Sequence, residues 1–348
     1  MAFAARPRVL WKLCGLCAVS LLCLCFLPKP GAAADMTSTL LVGGGRIDVT
    51  IESGDLKLTQ TELLHWVQMA AEAVTTYYGK YPVPHLTLRI RPFEGRGVRH
   101  GQTWGISGCL IKIGVGSETQ AADLAEDWML THEMVHLSFP SMEDDHHWIE
   151  EGLATYIEPI ARIQANQMSA SSMWADLARD MPKGVPRTDD KGLDHTHTWA
   201  STYWGGALFC FLADVRIREA THNQKGLQDA LRAILNAGGD IREDWKLEDA
   251  LRVGDKATGA DVLTQLYSRM KDDPMPVDLA ALWKQLGIEP DGKAVRLLDD
   301  APQSAIRRAI TAPFAAPSGQ PSASLTPRTV FAGRSKASSR NANTKPPR

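Results

Sequence analysis

Cysteine is nearly absent from the body of this chain: Cys14, Cys17, Cys23 and Cys25 lie in the first 34 residues, and only Cys109 and Cys210 follow. Two thiols exclude a structural four-cysteine metal site and a disulfide framework, so stability must come from a buried core. Whether they pair or remain buried thiols is open at this level, because spacing in sequence does not place their Cα atoms. A long apolar run is missing too. The longest, Leu13–Leu27, has fifteen residues, against about 20 for a membrane-spanning helix. From Pro313 onward there is no acid at all, while Arg328, Arg334, Lys336, Arg340, Lys345 and Arg348 are present.

What is present begins with a leader. Arg6, Arg8 and Lys12 precede the apolar run, Pro28-Lys29-Pro30-Gly31 breaks it, and Ala32-Ala33-Ala34 offers a small-residue cleavage site before Asp35. Residues 1–34 read as a cleaved signal peptide, which predicts a secreted or periplasmic protein with no stable membrane anchor once the signal is removed. Residues 35–310 read as one catalytic domain. Residues 311–348, rich in Pro, Ser, Ala and Thr and basic, are expected to be disordered. With the leader and tail set aside, 28 basic residues face 40 acidic ones, about −12. Such a body argues against a nucleic-acid partner.

Periodicity gives a coarse order. Ile47, Val49 and Ile51 alternate as a strand after the Gly43–Gly45 loop, and residues 59–78 carry apolar positions at helical spacing closed by Gly79. Leu86, Leu88 and Ile90 alternate again, and a short strand over 110–115 sits in a glycine-rich stretch. One helix is expected over 120–137 and a second over 147–167. Helices near 201–219, 225–235, 247–252, 259–271 and 279–286 follow a loop that ends at Thr198. The fold class is therefore α+β: a small N-terminal β-rich lobe, two helices at the junction, and an all-helical C-terminal lobe.

Those two junction helices carry the chemistry. His132-Glu133-Met134-Val135-His136 is H-E-x-x-H, and on a helix two histidines four apart share a face and can grip one Zn²⁺. Glu133 suits a general base better than a ligand, since a catalytic zinc keeps one position open. A third ligand is expected from Trp148-Ile149-Glu150-Glu151-Gly152. Neighbouring helical residues point about 100° apart, so only one of Glu150 and Glu151 can face the metal squarely. The other would accept from a ligand histidine. His147, Asp144 and Asp145 stay open as alternatives, and the extended H-E-x-x-H-x-x-G-x-x-H pattern is absent.

H-E-x-x-H followed by W-I-E-E-G-L-A resembles the gluzincin peptidases, the thermolysin-like clan, and most of all their aminopeptidase branch and the glycyl aminopeptidases. The resemblance covers roughly residues 60–290. It implies a thermolysin-like catalytic domain, Zn²⁺ on His132, His136 and Glu151, and Glu150 supporting a histidine. It also implies that Tyr203, in Ser201-Thr202-Tyr203-Trp204-Gly205-Gly206-Ala207-Leu208, donates to an oxyanion. Gly205 departs from the lysine often found there. Where the aminopeptidase branch has a glutamate for the substrate amine, Arg99–Gly105 offers Gln102, and a neutral amide lacks the charge-assisted contact an ammonium prefers.

The expectation is an exported zinc metallopeptidase acting on a peptide or protein substrate. The competing expectations are a catalytically silent gluzincin-fold protein that binds peptides or envelope components, and a zinc hydrolase of other substrates. His195 and His197, and the tryptophans Trp104, Trp148, Trp199 and Trp204, are further cleft residues to place.

Overall fold

The computed structural model describes residues 34–105 and 108–313; the leader and most of the basic tail lie outside them. The N-terminal part is a five-stranded sheet. Its strands are β1 (Met36–Val42), β2 (Gly45–Ile51), β3 (His85–Phe93), β4 (Val98–Trp104) and β5 (Cys109–Gly116), in the order β1-β2-β3-β5-β4. β2, β3 and β5 run parallel, and β1 and β4 are antiparallel edges. The alternating Ile47, Val49, Ile51 and Leu86, Leu88, Ile90 are all buried, each stabilising the sheet by about 1.5–3 kcal/mol. Two elements go beyond the periodicity reading. The strand after the glycines is half of a hairpin, and the glycine-rich stretch holds two strands instead of one.

Helix α1 (Gln60–Tyr78) covers the sheet and lies under the helices that carry the site. Its ends follow the sequence: the Thr59 hydroxyl accepts from the Glu62 N–H while the Glu62 carboxylate accepts from the Thr59 N–H, and Gly79 closes the helix at φ 80°.

The expected helix over 120–137 is two. α2 (Ala121–Ala125) ends early, and α3 (Met129–His136) restarts beside Asp127. The Asp127 carboxylate accepts from the N–H groups of Met129 and Leu130, at 3.2 Å each, and from Trp66 Nε1 at 3.1 Å. A side chain that satisfies first-turn amides begins a helix, so the break is chemically specified. α4 (His147–Gln164) follows a 3₁₀ turn at Asp144–His146.

α5 (Ala170–Asp180), a helix beyond those expected from periodicity, buries Met173, Trp174 and Leu177. A π-helical turn, Ala200–Gly205, leads into α6 (Gly206–Ala220), and α7 (Leu227–Asn236), α8 (Leu247–Thr258), α9 (Val262–Met270) and α10 (Leu279–Leu286) complete the expected series. The C-terminal part is helical but not all-helical. β6 (Ile288–Asp291) and β7 (Ala294–Leu297) form a hairpin before α11 (Ser304–Thr311).

The crossing of α4 and α6 sets the geometry that matters most. A Cβ on Gly152 would lie 2.2 Å from the carbonyl carbon of Gly206, and one on Gly206 would lie 2.0 Å from the Trp148 oxygen. Only hydrogen fits at either place, so the helices meet backbone to backbone. Asp194 ties the preceding loop to the same crossing: it accepts from Trp148 Nε1 at 2.8 Å and from the Tyr267 hydroxyl at 2.7 Å. Cys109 and Cys210 are separate buried thiols. Among the described residues no helix is long and apolar enough to cross a membrane.

Candidate active site

α3 presents His132 and His136 on one face, and α4 brings Glu151 against them. Glu151 Oε2 lies 3.1 Å from His132 Nε2 and 3.6 Å from His136 Nε2. One donor atom from each of the three residues falls within 4.8 Å of the other two. A tetrahedral zinc with ligands at about 2.0–2.1 Å spaces its donors roughly 3.4 Å apart. The two separations from Glu151 to the histidines bracket that spacing, so two imidazoles and a carboxylate fit the ion in chemistry and in these distances.

The protonation states suit the same task. Burial, then the neighbouring His132, lowers His136 to about 3, which keeps it neutral. Burial opposes ionisation of Glu151, but hydrogen bonds with His132 and His147 outweigh it and hold the carboxyl well below its usual range. Neutral imidazole and ionised carboxylate are the metal-binding forms.

Glu133 sits beside the cluster with its carboxylate against the edge strand. Thr103 Oγ1 donates to Glu133 Oε2 at 2.5 Å and also lies 3.0 Å from the Glu133 backbone oxygen. A Cβ at Gly101 would stand 2.5 Å from Glu133 Oε1. The strand therefore approaches the carboxylate as closely as glycine permits. Burial raises the Glu133 carboxyl above its usual range, against the opposing Thr103 hydrogen bond.

Tyr203, in the π-helical turn, stacks on His132 with ring centroids 6.3 Å apart and an interplanar angle of 14°. Burial first, then the carboxylates of Glu151 and Glu133, push its hydroxyl up to about 12, so it stays a protonated donor at neutral pH. The Gly152–Gly206 contact explains why a residue more than fifty positions from Glu151 reaches the same spot.

The other residues singled out in the sequence separate cleanly. Glu150 does not touch the two histidines of α3. Its Oε2 lies 3.0 Å from His147 Nδ1, and its Oε1 accepts from the Met142 N–H at 3.3 Å. The expected support of a ligand histidine is replaced by support of His147, whose Nε2 lies 3.4 Å from Glu151 Oε1. Asp144 and Asp145 are exposed. His195 pairs with Asp272 at 3.1 Å and His197 with Asp145 at 3.8 Å, and neither lines the cleft. Trp148 is core, packed on Phe209, whereas Trp104 lines the cleft. Gln102 lines it too, in a cavity of about 470 Å³ whose lining carboxylates among the described residues are Glu133, Glu150 and Glu151. Sequence reasoning missed Thr103. A threonine in an exposed-looking strand carries no signal until the strand is placed beside α3.

No protein-family model matches this chain, and no curated protein matches it. Solved structures do. The chain is similar to an aminopeptidase N family protein from Idiomarina loihiensis, with a TM-score of 0.56 and 12% identity over 74% of this chain and 50% of that one. It is also similar, with a TM-score of 0.45 and 17% identity, to an M1 zinc metallopeptidase from Deinococcus radiodurans, over 70% of this chain and 54% of that one. A mutant of that enzyme bound to a Tyr-Ser-Ala substrate aligns with a TM-score of 0.46 and 16% identity, covering 70% and 52%. The chain spans about half the length of these structures. The likeness to the first is one of fold: this chain shares the fold of a structure named as an aminopeptidase N family protein.

Proposed function

We propose that this chain is an exported zinc-dependent peptidase in which His132, His136 and Glu151 hold Zn²⁺. The observation that carries the reading is the meeting of these three donors beside a carboxylate that is not needed as a ligand. A protein that merely bound peptides would have no use for Glu133 in that place. The fold shared with a structure named as an aminopeptidase N family protein agrees in kind.

His132, His136 and Glu151 would hold the ion, which would supply Lewis-acid polarisation of the scissile carbonyl and of the attacking water. The chain's own residues do the rest. An extended peptide can add to the free edge of β4, where Gly101–Gly105 lines the cleft. Glu133, steadied by Thr103, takes the proton from the attacking water and delivers it to the leaving amine. Tyr203 donates to the oxygen that gains charge as the carbonyl carbon becomes tetrahedral. Gln102, a neutral amide on the edge strand of this cleft, favours substrates without a charged N-terminus.

The test combines metal analysis of the mature protein with cleavage of a mixed peptide library, with and without chelator. About one zinc per chain and chelator-sensitive cleavage support the reading. Peptide binding with no cleavage at full zinc occupancy would point instead to a silent binding protein.

A further inference from the structure

Beyond the cleft along β4 lies a second cavity of about 610 Å³ that the mechanism does not use. The two share His132 and Tyr203 in their walls, so they meet at the candidate metal site. This second space is bounded by α4, α5 and the π-helical turn.

Its walls are unusual for this protein. The exposed large hydrophobic side chains among the described residues are Met36, Leu41, Trp104, Trp128 and Trp199. All three tryptophans line one of the two cavities: Trp104 the first, Trp128 and Trp199 the second. Trp199 is the most exposed of them at 60%. It stacks on Tyr203 at 5.7 Å, and Trp128 meets His132 edge-on at 5.3 Å. Trp204, Met173 and Leu177 continue the apolar lining. A fold that buries nearly every other large apolar side chain leaves these rings open beside its reactive centre, where apolar surface marks a binding site.

Among the described residues, the cations in this cavity are all paired with its acids, and of its carboxylates only Glu126, at the exposed rim, has no such pair. Arg162 pairs with Glu158 at 3.1 Å, Arg179 with Asp176 and Asp180 at 2.6 Å each, and Lys183 with Asp180 at 2.8 Å. Lys183 also lies over the rings of Trp199 and Trp204, at 5.8 and 5.5 Å. A charged ligand group would have to compete with these pairs. Ring and methylene surface has no such competitor.

We infer that this cavity is the specificity pocket of the proposed peptidase and receives an aromatic or bulky apolar side chain next to the scissile bond, with Trp199 as its principal wall. The inference rests on the peptidase reading for the identity of the ligand as a peptide. It does not rest on it for the chemistry of the pocket. Trp199 acts by holding the side chain against its ring, so its removal lowers discrimination between large and small residues.

The experiment uses blocked alanine pentapeptides carrying Phe, Trp, Ala, Lys or Asp at either residue flanking the scissile bond. Hydrolysis is followed with the zinc-loaded wild type, and binding to zinc-loaded Glu133→Gln protein is measured by calorimetry. At one of the two positions Phe or Trp should exceed Ala by about tenfold, both in kcat/KM and in Kd. Trp199→Ala should reduce that ratio to about twofold or less in both measurements, and Trp199→Phe should restore most of it. Preference for Lys or Asp, or an unchanged ratio in Trp199→Ala, overturns the inference while leaving the peptidase reading in place. Aromatic-selective binding without any hydrolysis supports the pocket and removes the peptidase reading.

Discussion

Replacing Gly152 by alanine adds one methyl at the point where α4 and α6 touch. Its Cβ would stand 2.2 Å from the carbonyl carbon of Gly206 and 2.4 Å from the Gly206 Cα. Ordinary carbon contacts are about 3.5–4.0 Å, so the two helices must part by roughly 1 Å or more. Both neighbours are backbone, and no rotamer change can relieve the clash. Overpacking of this kind costs about 1–3 kcal/mol, which for a domain of this size lowers Tm by roughly 2–12 °C. The functional effect should be larger than the stability effect. α4 carries Glu151 and α6 continues from the turn carrying Tyr203, so the same movement separates the candidate ligand from the candidate oxyanion donor. A misplacement of about 1 Å can cost on the order of a hundredfold in rate. The assay is calorimetric Tm, zinc content and peptide hydrolysis on one preparation. A Gly152→Ala protein that melts within a degree of wild type and turns over peptides at the same rate would refute the claim that this contact sets the site.

Three further outcomes follow from the site. Tyr203→Phe should lower kcat by about tenfold to a thousandfold with little change in KM, because its hydroxyl is needed mainly in the transition state; a change confined to KM would assign it to substrate binding instead. Glu151→Gln should lose zinc in metal analysis while Glu150→Gln keeps it, since only Glu151 lies beside both histidines of α3; the reverse pattern would move the ligand by one residue. N-terminally blocked peptides should be cleaved at least as well as free ones, and Gln102→Glu should shift preference toward free amines by roughly tenfold. Strict dependence of the wild type on a free N-terminus would show that another acid meets the amine.

The sequence made the two histidines and the glutamates legible because their spacing is local: i, i+4 on one helix, and adjacent positions on another. Tyr203 was legible only through its motif-like surroundings, and its approach to His132 depends on a glycine contact that no periodicity reports. The core strands and most helices were likewise plain from alternation and from caps such as Thr59 and Gly79. The break at Asp127 was not, because a carboxylate inside an apolar-periodic stretch reads as a surface residue until its two amide partners are seen. The β6–β7 hairpin escaped because strands of four residues are too short to alternate visibly, although Pro290-Asp291-Gly292 is a turn signal in hindsight. Glu150 was expected to support a histidine, and which one depended on the placement of the helices: its carboxylate meets His147 on its own helix.

The central claim is that Glu133 acts as a base beside a metal it does not bind, and one paired measurement on Glu133→Gln tests it. Zinc content should match the wild type, while hydrolysis of the best peptide falls by on the order of a thousandfold or more. Near-wild-type turnover in that variant at full zinc occupancy would contradict the account.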